Sequence, residues 1–167
     1  YLVAEPFGNI LIISPWNYPF QLALTPLVGA VAAGNTVVLK PSESAPKTGA
    51  IVAKVIKEAF PKEWVTVVEG GAAVAQELLE LSWDYIFYTG STTVGKLVAQ
   101  VAAKNLIPTT LELGGKSPCI IEDSAPLKST AKRIVWGKFL NCGQTCIAPD
   151  YIIVPPHKKE ALMTALK

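Results

Sequence analysis

Short runs of apolar, mostly β-branched residues recur along this chain, and patterns typical of helices separate several of them. The runs predict β-strands at residues 10–13, 36–39, 65–68, 85–88, 118–121 and 151–154. Strands that alternate with helices indicate right-handed βαβ crossovers, and uniformly apolar strands favour a parallel sheet that is covered on both faces. The sequence therefore predicts an α/β fold.

Two segments show the i, i+3, i+4 spacing of apolar residues that is typical of an amphipathic helix. The first covers residues 51–60, and Ser44 is the expected N-cap because it stands shortly before Pro46. The second covers residues 94–102. Ligands of open α/β sheets bind beyond the carboxyl ends of the strands, so we expect the site in the loops that follow Ile13, Leu39, Tyr88 and Leu113.

The alternation changes near Leu113, where Gly114 and Gly115 follow. A second unit is predicted from that point, with a strand within residues 116–122 and a helix around residues 125–140. We therefore expect two domains, residues 1–113 and residues 114–167. The chain opens without a Met and stops within a helical pattern, so we also expect it to be a piece of a longer protein.

Composition narrows the class of protein. Half of the 167 residues are hydrophobic and 17% are charged, which suits a globular core. The net charge is +2 without a run of like charges, so a nucleic-acid partner is not expected. The apolar stretch 22–33 is interrupted and falls short of the ~20 residues of a membrane span. Three cysteines, an odd number, favour a reducing compartment, with the cytoplasm as the default.

The loop at residues 89–96 follows an apolar strand and opens a helix, which is a favourable place for an anion. Its spacing matches a P-loop as far as Lys96, but Leu97 stands where Ser or Thr would bind magnesium. The glycine pattern of a Rossmann fingerprint is also incomplete, because Thr92 occupies the middle glycine position. The local pattern leaves two interpretations open, a phosphate site and a plain strand-to-helix turn.

Cys146 lies in a polar, glycine-containing loop after a helix. A single cysteine in an apolar sequence is most often an inert core residue, but such a loop suits a nucleophile that must reach a carbonyl carbon. The spacing of Cys142 and Cys146 is not that of a zinc site, and the single histidine, His157, brings no further ligand. A reversible disulfide between the two cysteines stays open.

Three further positions carry groups that catalysis or binding could use. Glu112, between two leucines, is either exposed by strand alternation or a partly desolvated carboxylate suited to general-base work. Asn17 could donate its amide N–H to a developing oxyanion, or serve as a turn residue. Lys40 and Glu43 follow a strand and could bind ribose hydroxyls, or form a solvated charged loop.

Taken in order, these segments resemble the aldehyde dehydrogenase superfamily. The resemblance runs from Tyr1 past Cys146. It rests on the motifs Pro-Trp-Asn-Tyr-Pro at 15–19, Lys-Pro-Ser-Glu at 40–43, Thr-Gly-Ser-Thr at 89–92 with Gly95, Leu-Glu-Leu-Gly-Gly-Lys at 111–116 and Gly-Gln-Thr-Cys at 143–146. The sequence of residues 141–151 and 117–119 is similar to that of the class 3 branch, whose members oxidise fatty and aromatic aldehydes. The resemblance implies a Rossmann-like NAD(P)-binding domain at 1–113 and the start of an α/β catalytic domain at 114–167.

The resemblance also implies a role for each motif. Cys146 would attack the aldehyde carbon, Asn17 would hold the oxyanion, and Glu112 would activate the water that releases the acid. The cofactor, NAD or NADP, would be bound by residues of the first domain and no metal would be needed. The cofactor-binding residues implied are Trp16, Lys40, Glu43, Gly90, Ser91, Val94, Gly95 and Leu113.

The same resemblance implies partners and leaves alternatives open. We expect an aldehyde substrate, a dimeric parent protein, and membrane association only through segments that this chain lacks. A later Glu-x-Phe element that grips the nicotinamide ribose is absent, so the chain alone could bind cofactor without turnover. The remaining alternative is a nucleotide-binding switch that uses residues 90–96 as a P-loop.

Overall fold

The computed structural model describes residues 1–167, and the chain divides into two compact units, Tyr1–Leu113 and Gly114–Lys167. Each unit has its own hydrophobic core. None of the helices combines the length and the apolar character needed to cross a lipid bilayer.

The first unit is a five-stranded parallel sheet with four helices. Its strands are β1 (Asn9–Ile13), β2 (Thr36–Lys40), β3 (Val65–Val67), β4 (Tyr85–Thr89) and β5 (Thr109–Glu112). Its helices are α1 (Gln21–Ala32), α2 (Pro46–Ala59), α3 (Ala72–Leu79) and α4 (Thr92–Lys104). The strand order is β3-β2-β1-β4-β5, and every neighbouring pair is parallel. The expected α/β fold with a Rossmann-like parallel sheet is confirmed.

The two faces of this sheet carry separate cores because successive strand residues point to opposite sides. On one face, Ile10 and Ile12 of β1 pack with residues of α1 and α2, such as Leu27 and Val52. On the other face, Leu11 and Ile13 join residues of α3 and α4, including Leu79 and Val98. Helices therefore cover both faces, which explains why the strands are apolar throughout.

The strand order reverses at β1. From β1 the chain moves through β2 to β3 on one side, and then crosses to β4 and β5 on the other. Such a switch point leaves a crevice beyond the carboxyl ends of the central strands, between connections that turn to opposite sides. The residues that follow β1, β2 and β4 are therefore the ones that can meet at a ligand.

The second unit is a parallel βαβ arrangement. Strands β6 (Ser117–Ile120) and β7 (Pro149–Ile153) form a two-stranded sheet, and α5 (Leu127–Phe139) connects them, followed by a 3₁₀ turn at Leu140–Gly143. A second 3₁₀ turn, Pro156–Lys158, precedes α6 (Lys159–Leu166). Ile121, Ala131, Ile134 and Leu162 form the core of this unit.

The structure differs from the sequence expectations at several elements. The expectation for Ser44 is wrong, because Ala45 is the N-cap of α2 and Pro46 is its first residue, while the Ser44 N–H donates to Ser42 Oγ at 3.3 Å. Strand β5 is not among the predicted apolar runs because it begins with two threonines, although the loop after Leu113 is expected at a strand end. Helices α1 and α3 were not predicted, since α1 has few polar residues and a proline inside and α3 has only 8 residues.

Candidate functional site: a cleft at the carboxyl ends of the strands

A cleft of about 350 Å³ lies in the first unit at the carboxyl ends of β1, β2 and β4. We call it the strand-end cleft. Its lining comes from the segments after these strands and from α3 and α4: Ile13, Ser14, Pro15, Trp16, Lys40, Ser42, Glu43, Ser44, Ala72, Ala75, Gln76, Leu79, Tyr88, Thr89, Gly90, Val94 and Leu97. The loops after Ile13, Leu39 and Tyr88 thus line the cleft, as the rule for open α/β sheets predicts.

A buried lysine and its carboxylate partner line the cleft at the carboxyl end of β2. Lys40 is 2% exposed, and its Nζ donates to Glu43 Oε2 at 3.0 Å and to the Pro41 carbonyl at 3.1 Å. The pKa of Glu43 is lowered, first by a hydrogen bond from its own backbone N–H and then by the one from Lys40, against an opposing effect of burial. The solvated-loop interpretation is therefore wrong for Lys40, which is a buried, paired cation.

Ser14 brings a polar group without a partner to the same place. The residue is 4% exposed, follows β1 directly, and its backbone N–H donates to the Lys40 carbonyl at 3.0 Å. Its Oγ is buried and has no hydrogen-bond partner in the protein. Leaving a buried hydroxyl unsatisfied costs about 1–3 kcal/mol, so a partner from outside the protein would relieve it. This residue was missed from the sequence, although its position one residue after a central strand was a usable signal.

The first turn of α4 forms another part of the lining. Ser91 is the N-cap, and its Oγ accepts the Val94 backbone N–H at 3.3 Å. Gly90 and Val94 line the cleft. A helix start with free N–H groups beside a glycine backbone favours a phosphate group, as the sequence pattern suggested. Ser91 itself is absent from the lining and acts in the structure as a cap.

Close packing beneath this turn explains its two glycines. A Cβ at Gly90 would collide with the Tyr88 hydroxyl, and a Cβ at Gly95 would lie 2.6 Å from Leu113 Cδ2. Tyr88 is 4% exposed and its hydroxyl donates to the Ser91 carbonyl at 3.3 Å. Burial raises the pKa of Tyr88, while hydrogen bonds with Ser91 oppose that rise. Gly95 and Leu113 thus hold α4 against the sheet without lining the cleft.

The P-loop interpretation can be compared with this geometry. In a P-loop the lysine that follows the last glycine must reach the phosphates. Here Lys96 is exposed and lies outside the lining, whereas the next residue, Leu97, is inside it. The cleft therefore presents an apolar side chain at the position of the P-loop's magnesium ligand, and the lysine lies outside the lining.

Trp16 and Asn17 belong to the segment after β1. The Trp16 ring is 50% exposed and lines the cleft, so it can cover a planar ligand group at the rim. Asn17 is partly buried within a bend and makes interactions of its own. It does not belong to the lining, and its assignment as an oxyanion donor stays a prediction.

Glu112 ends β5 beside the first turn of α4. It pairs in register with Thr89, and its carbonyl accepts the Gly90 N–H at 2.9 Å. Its side chain is exposed. Of the two interpretations that the sequence left open, exposure by strand alternation is therefore the one observed, and not a partly desolvated carboxylate. The main chain of Glu112 therefore fixes the glycine loop, while its carboxylate is accessible to solvent.

Cys146 lies in the second unit, in a turn that the Ala148 N–H closes by donating to the Thr145 carbonyl at 3.1 Å. The cysteine is exposed, and it is a free thiol, as are Cys119 and Cys142. The preceding 3₁₀ turn contains two residues in the left-handed region, Asn141 with φ 53° and Cys142 with φ 57°. An exposed thiol in the turn that follows this strained segment is not an inert core residue.

The structure brings together a subset of the predicted site. Five of the predicted cofactor-binding residues line the strand-end cleft: Trp16, Lys40, Glu43, Gly90 and Val94. Beside Ser14, sequence reasoning missed the face of α3 that closes the cleft, with Ala75 and Gln76, because that helix was not predicted. The Gly-Gly pair before Ala72 was the available signal for its start.

Comparison with known proteins points to one family. The sequence matches the family described as "Aldehyde dehydrogenase family" over residues 1–167. It is 51% identical over 166 residues to the 4,4'-diaponeurosporen-aldehyde dehydrogenase of Staphylococcus aureus (strain NCTC 8325 / PS 47), covering 99% of this chain and 36% of that protein. It is 50% identical over 167 residues to aldehyde dehydrogenase family 3 member B1 of Homo sapiens, covering 100% of this chain and 36% of that protein.

Two further comparisons concern the cofactor. The chain is 48% identical over 167 residues to a Mus musculus protein named "Aldehyde dehydrogenase, dimeric NADP-preferring", covering 100% of this chain and 37% of that protein. A crystal structure of Mycobacterium tuberculosis aldehyde dehydrogenase complexed with NAD+ superimposes with a TM-score of 0.91 at 36% identity, covering 97% of this chain and 34% of that one. The chain spans about a third of the length of the curated relatives it matches.

Proposed function

The chain belongs to the aldehyde dehydrogenase family, and we propose that it carries the cofactor site and the nucleophile of an enzyme that oxidises an aldehyde to a carboxylic acid with NAD or NADP. The observation that carries this proposal is the strand-end cleft, with the buried Lys40, its partner Glu43 and the unsatisfied Ser14 hydroxyl at the switch point of a parallel sheet.

The chemistry of the cleft fits a dinucleotide. Lys40 and Glu43 together offer a donor and an acceptor for the hydroxyls of a ribose. The N-terminus of α4, where Gly90 and Val94 line the cleft, suits a pyrophosphate because the helix dipole favours an anion there. Trp16 covers the rim. A bound nicotinamide supplies the acceptor for the hydride that leaves the substrate carbon. The ionised Glu43 favours a ribose hydroxyl over a phosphate, so NAD is favoured over NADP.

Cys146 is the proposed nucleophile. Its thiolate attacks the aldehyde carbon and forms a C–S bond, and the carbonyl oxygen takes the negative charge, held by the Asn17 amide and the Cys146 backbone N–H. Loss of hydride from the same carbon re-forms the C=O bond and leaves a thioester on Cys146. The exposure of the thiol on its turn supports this role.

Glu112 is the proposed general base of the last step. Its carboxylate takes a proton from water, and the resulting hydroxide attacks the thioester carbon. The C–S bond then breaks, the carboxylic acid leaves, and the Cys146 thiolate is restored. The exposed position of the Glu112 side chain supports this role because a base for hydrolysis must reach water.

The proposal extends to the substrate class, the oligomeric state and the location of the protein. The resemblance to the class 3 branch supports a fatty or aromatic aldehyde as substrate, and the Staphylococcus aureus relative is named for 4,4'-diaponeurosporen-aldehyde. One relative is named dimeric, which supports a dimer for this protein. Three free cysteines without a disulfide support a cytoplasmic location.

The direct test is aldehyde-dependent NADH formation by the full-length protein and by its Cys146→Ser variant. We expect the serine variant to lose at least about 100-fold in rate, since a serine hydroxyl is a far weaker nucleophile without a dedicated base. A Cys142→Ser variant is the matched control and should keep its rate. A Cys146→Ser variant that retains activity would show that the nucleophile is assigned wrongly.

A second candidate function is cofactor binding without turnover by the 167-residue chain itself. It is favoured by the coverage of the relatives, because the chain spans about a third of their length and contains the strand-end cleft. Quenching of tryptophan fluorescence by NAD+, through Trp16 at the rim, tests it directly. Binding without aldehyde-dependent NADH formation would support this function for the chain alone.

A further inference from the structure

The main chain around Cys146 is packed against another segment of the same unit. Gly115 lies so close to Cys146 that a Cβ built on Gly115 would fall onto the Cys146 carbonyl oxygen, and it would lie 3.4 Å from the carbonyl carbon. The carbonyl oxygen is a backbone atom, so it cannot move aside by a side-chain rotation. Any residue other than glycine at position 115 must therefore displace the turn that carries the thiol.

The glycine at 115 is required by this approach and not by its backbone angles. The glycines with a positive φ are Gly8, Gly34, Gly70 and Gly143, and Gly115 is not one of them. An alanine could therefore adopt the backbone conformation of position 115 without strain. The neighbouring Gly114 has nothing within 4 Å of its ideal Cβ position and provides a matched control.

A charged contact joins the same two segments beyond the turn. Asp150, four residues after Cys146, places its Oδ2 3.5 Å from the Nζ of Lys116, the residue that follows Gly115. Its Oδ1 lies 3.7 Å from the Nζ of Lys138 near the end of α5. One carboxylate therefore links the segment before β6, the end of α5 and the chain that leaves the cysteine turn.

The rest of the turn has little freedom to absorb a displacement. Asn141 and Cys142 already occupy the left-handed region, which costs roughly 1–2 kcal/mol for each such residue. The Gln144 N–H donates to the Asn141 carbonyl at 3.1 Å, and the Ala148 N–H closes the next turn. A displacement of the Cys146 carbonyl would therefore also displace the thiol, because the neighbouring residues cannot absorb it.

We propose that Gly115 and Asp150 are positioning residues that set the place of the Cys146 thiol. The absence of a side chain at position 115 leaves room for the Cys146 carbonyl, and the ion pairs of Asp150 hold the chain that follows the cysteine. The inference rests on the proposed role of Cys146 as nucleophile. A carbonyl oxygen displaced by about 1 Å carries its thiol with it, and misplacement on that scale costs up to roughly 100-fold in rate.

The test compares Gly115→Ala with Gly114→Ala in the full-length protein. We expect Gly115→Ala to lower kcat at least about tenfold, to leave the NAD+ dissociation constant within about twofold, and to speed hydrogen exchange of the Ala148 amide, which closes the cysteine turn. Gly114→Ala should change none of the three. A Gly115→Ala variant that lowers kcat less than about fivefold, or leaves that exchange unchanged, would overturn the proposal.

Two additional variants keep the outcome decisive. If Gly115→Ala does not fold, Asp150→Asn replaces it, since Asp150 is at the surface; we expect a fall in kcat of at least about threefold, recovered by Asp150→Glu. In that case an Asp150→Asn variant with unchanged kcat overturns the proposal. Cys146→Ser in the same series separates the role of Cys146 as nucleophile from the positioning role. If Cys146→Ser stays active, the proposed function fails. If Cys146→Ser is inactive and Gly115→Ala is unaffected, only the positioning role is refuted.

Discussion

The Nζ of Lys40 lies 3.0 Å from the carboxylate Oε2 of Glu43, and the lysine is 2% exposed at the end of a central β-strand. An ammonium group is expensive to remove from water, and two acceptors, Glu43 and the Pro41 carbonyl, compensate it here. Such an arrangement is unusual for a surface loop. It places one polar pair at the mouth of a largely apolar cleft, where hydroxyl groups of a ligand can be recognised.

The first prediction concerns the stability of this pair. Glu43→Ala should lower the free energy of unfolding by about 1 kcal/mol, because it leaves the Lys40 ammonium buried with a single acceptor, and the half-exposed position of Glu43 limits the loss. Lys40→Met should cost less, since it removes the buried charge altogether. Urea unfolding of the two variants measures the difference. A Lys40→Met variant less stable than Glu43→Ala would contradict it.

The second prediction is a pH dependence. The pKa of Glu43 is lowered in the folded chain, so its contribution to stability is present above its ordinary value of 4.5 and is lost as pH falls through the lower folded pKa. The difference in unfolding free energy between wild type and Glu43→Gln should be constant from pH 7 to pH 5 and should shrink only below the ordinary value. A difference that vanishes between pH 7 and pH 6 would show that the pair does not exist in solution.

The third prediction concerns the unsatisfied hydroxyl of Ser14. Ser14→Ala should raise the free energy of unfolding by about 1 kcal/mol in the absence of cofactor, because it removes a buried polar atom without a partner. The same change should reduce the increase in Tm that NAD+ produces. Ser44→Ala, an exposed residue of the same lining, is the control and should stay within about 0.5 kcal/mol of wild type. A destabilised Ser14→Ala variant would mean that the hydroxyl has a partner in the free protein.

The fourth prediction tests the packing under the first turn of α4. Gly95→Ala should destabilise the chain by about 1 kcal/mol, because the new methyl would lie 2.6 Å from Leu113 Cδ2. In a Leu113→Ala background that overlap is gone, and the higher helix propensity of alanine should make Gly95→Ala stabilising by up to about 1 kcal/mol. Thermal unfolding of the four proteins gives the coupling. Equal effects of Gly95→Ala in both backgrounds would refute the contact.

Much of the first unit could be predicted from the sequence because its strands are apolar on both faces. The runs at 10–13, 36–39 and 85–88 coincide with β1, β2 and β4, the strands that border the cleft. The spacing of Val52 and Ile56 likewise marked the buried face of α2. Strand β5 is not among these runs because Thr109 and Thr110 interrupt its apolar pattern. Helix α1 was not predicted because a helix with so few polar residues shows no clear amphipathic period.

Less of the candidate site than of the fold could be predicted from the sequence. Residue type alone could not decide whether Lys40 binds a ligand or is a solvated charge, since burial of a lysine depends on a partner three residues away and on strands distant in sequence. The position of Ser14 directly after β1 could have placed it near the site, but its unsatisfied hydroxyl is a property of the packed structure and could not be predicted. The exposure of the Glu112 side chain likewise depends on how strand β5 pairs with β4.

The central claim is that Cys146 forms a thioester that Glu112 helps to hydrolyse. Peptide mass spectrometry of the full-length Glu112→Gln variant, quenched after incubation with aldehyde and NAD+, tests it most directly. We predict an acyl adduct on the peptide that contains Cys146, accumulating because hydrolysis slows by at least roughly 100-fold while the thioester still forms. No acyl adduct on that peptide, or an adduct only on Cys119 or Cys142, would contradict the account.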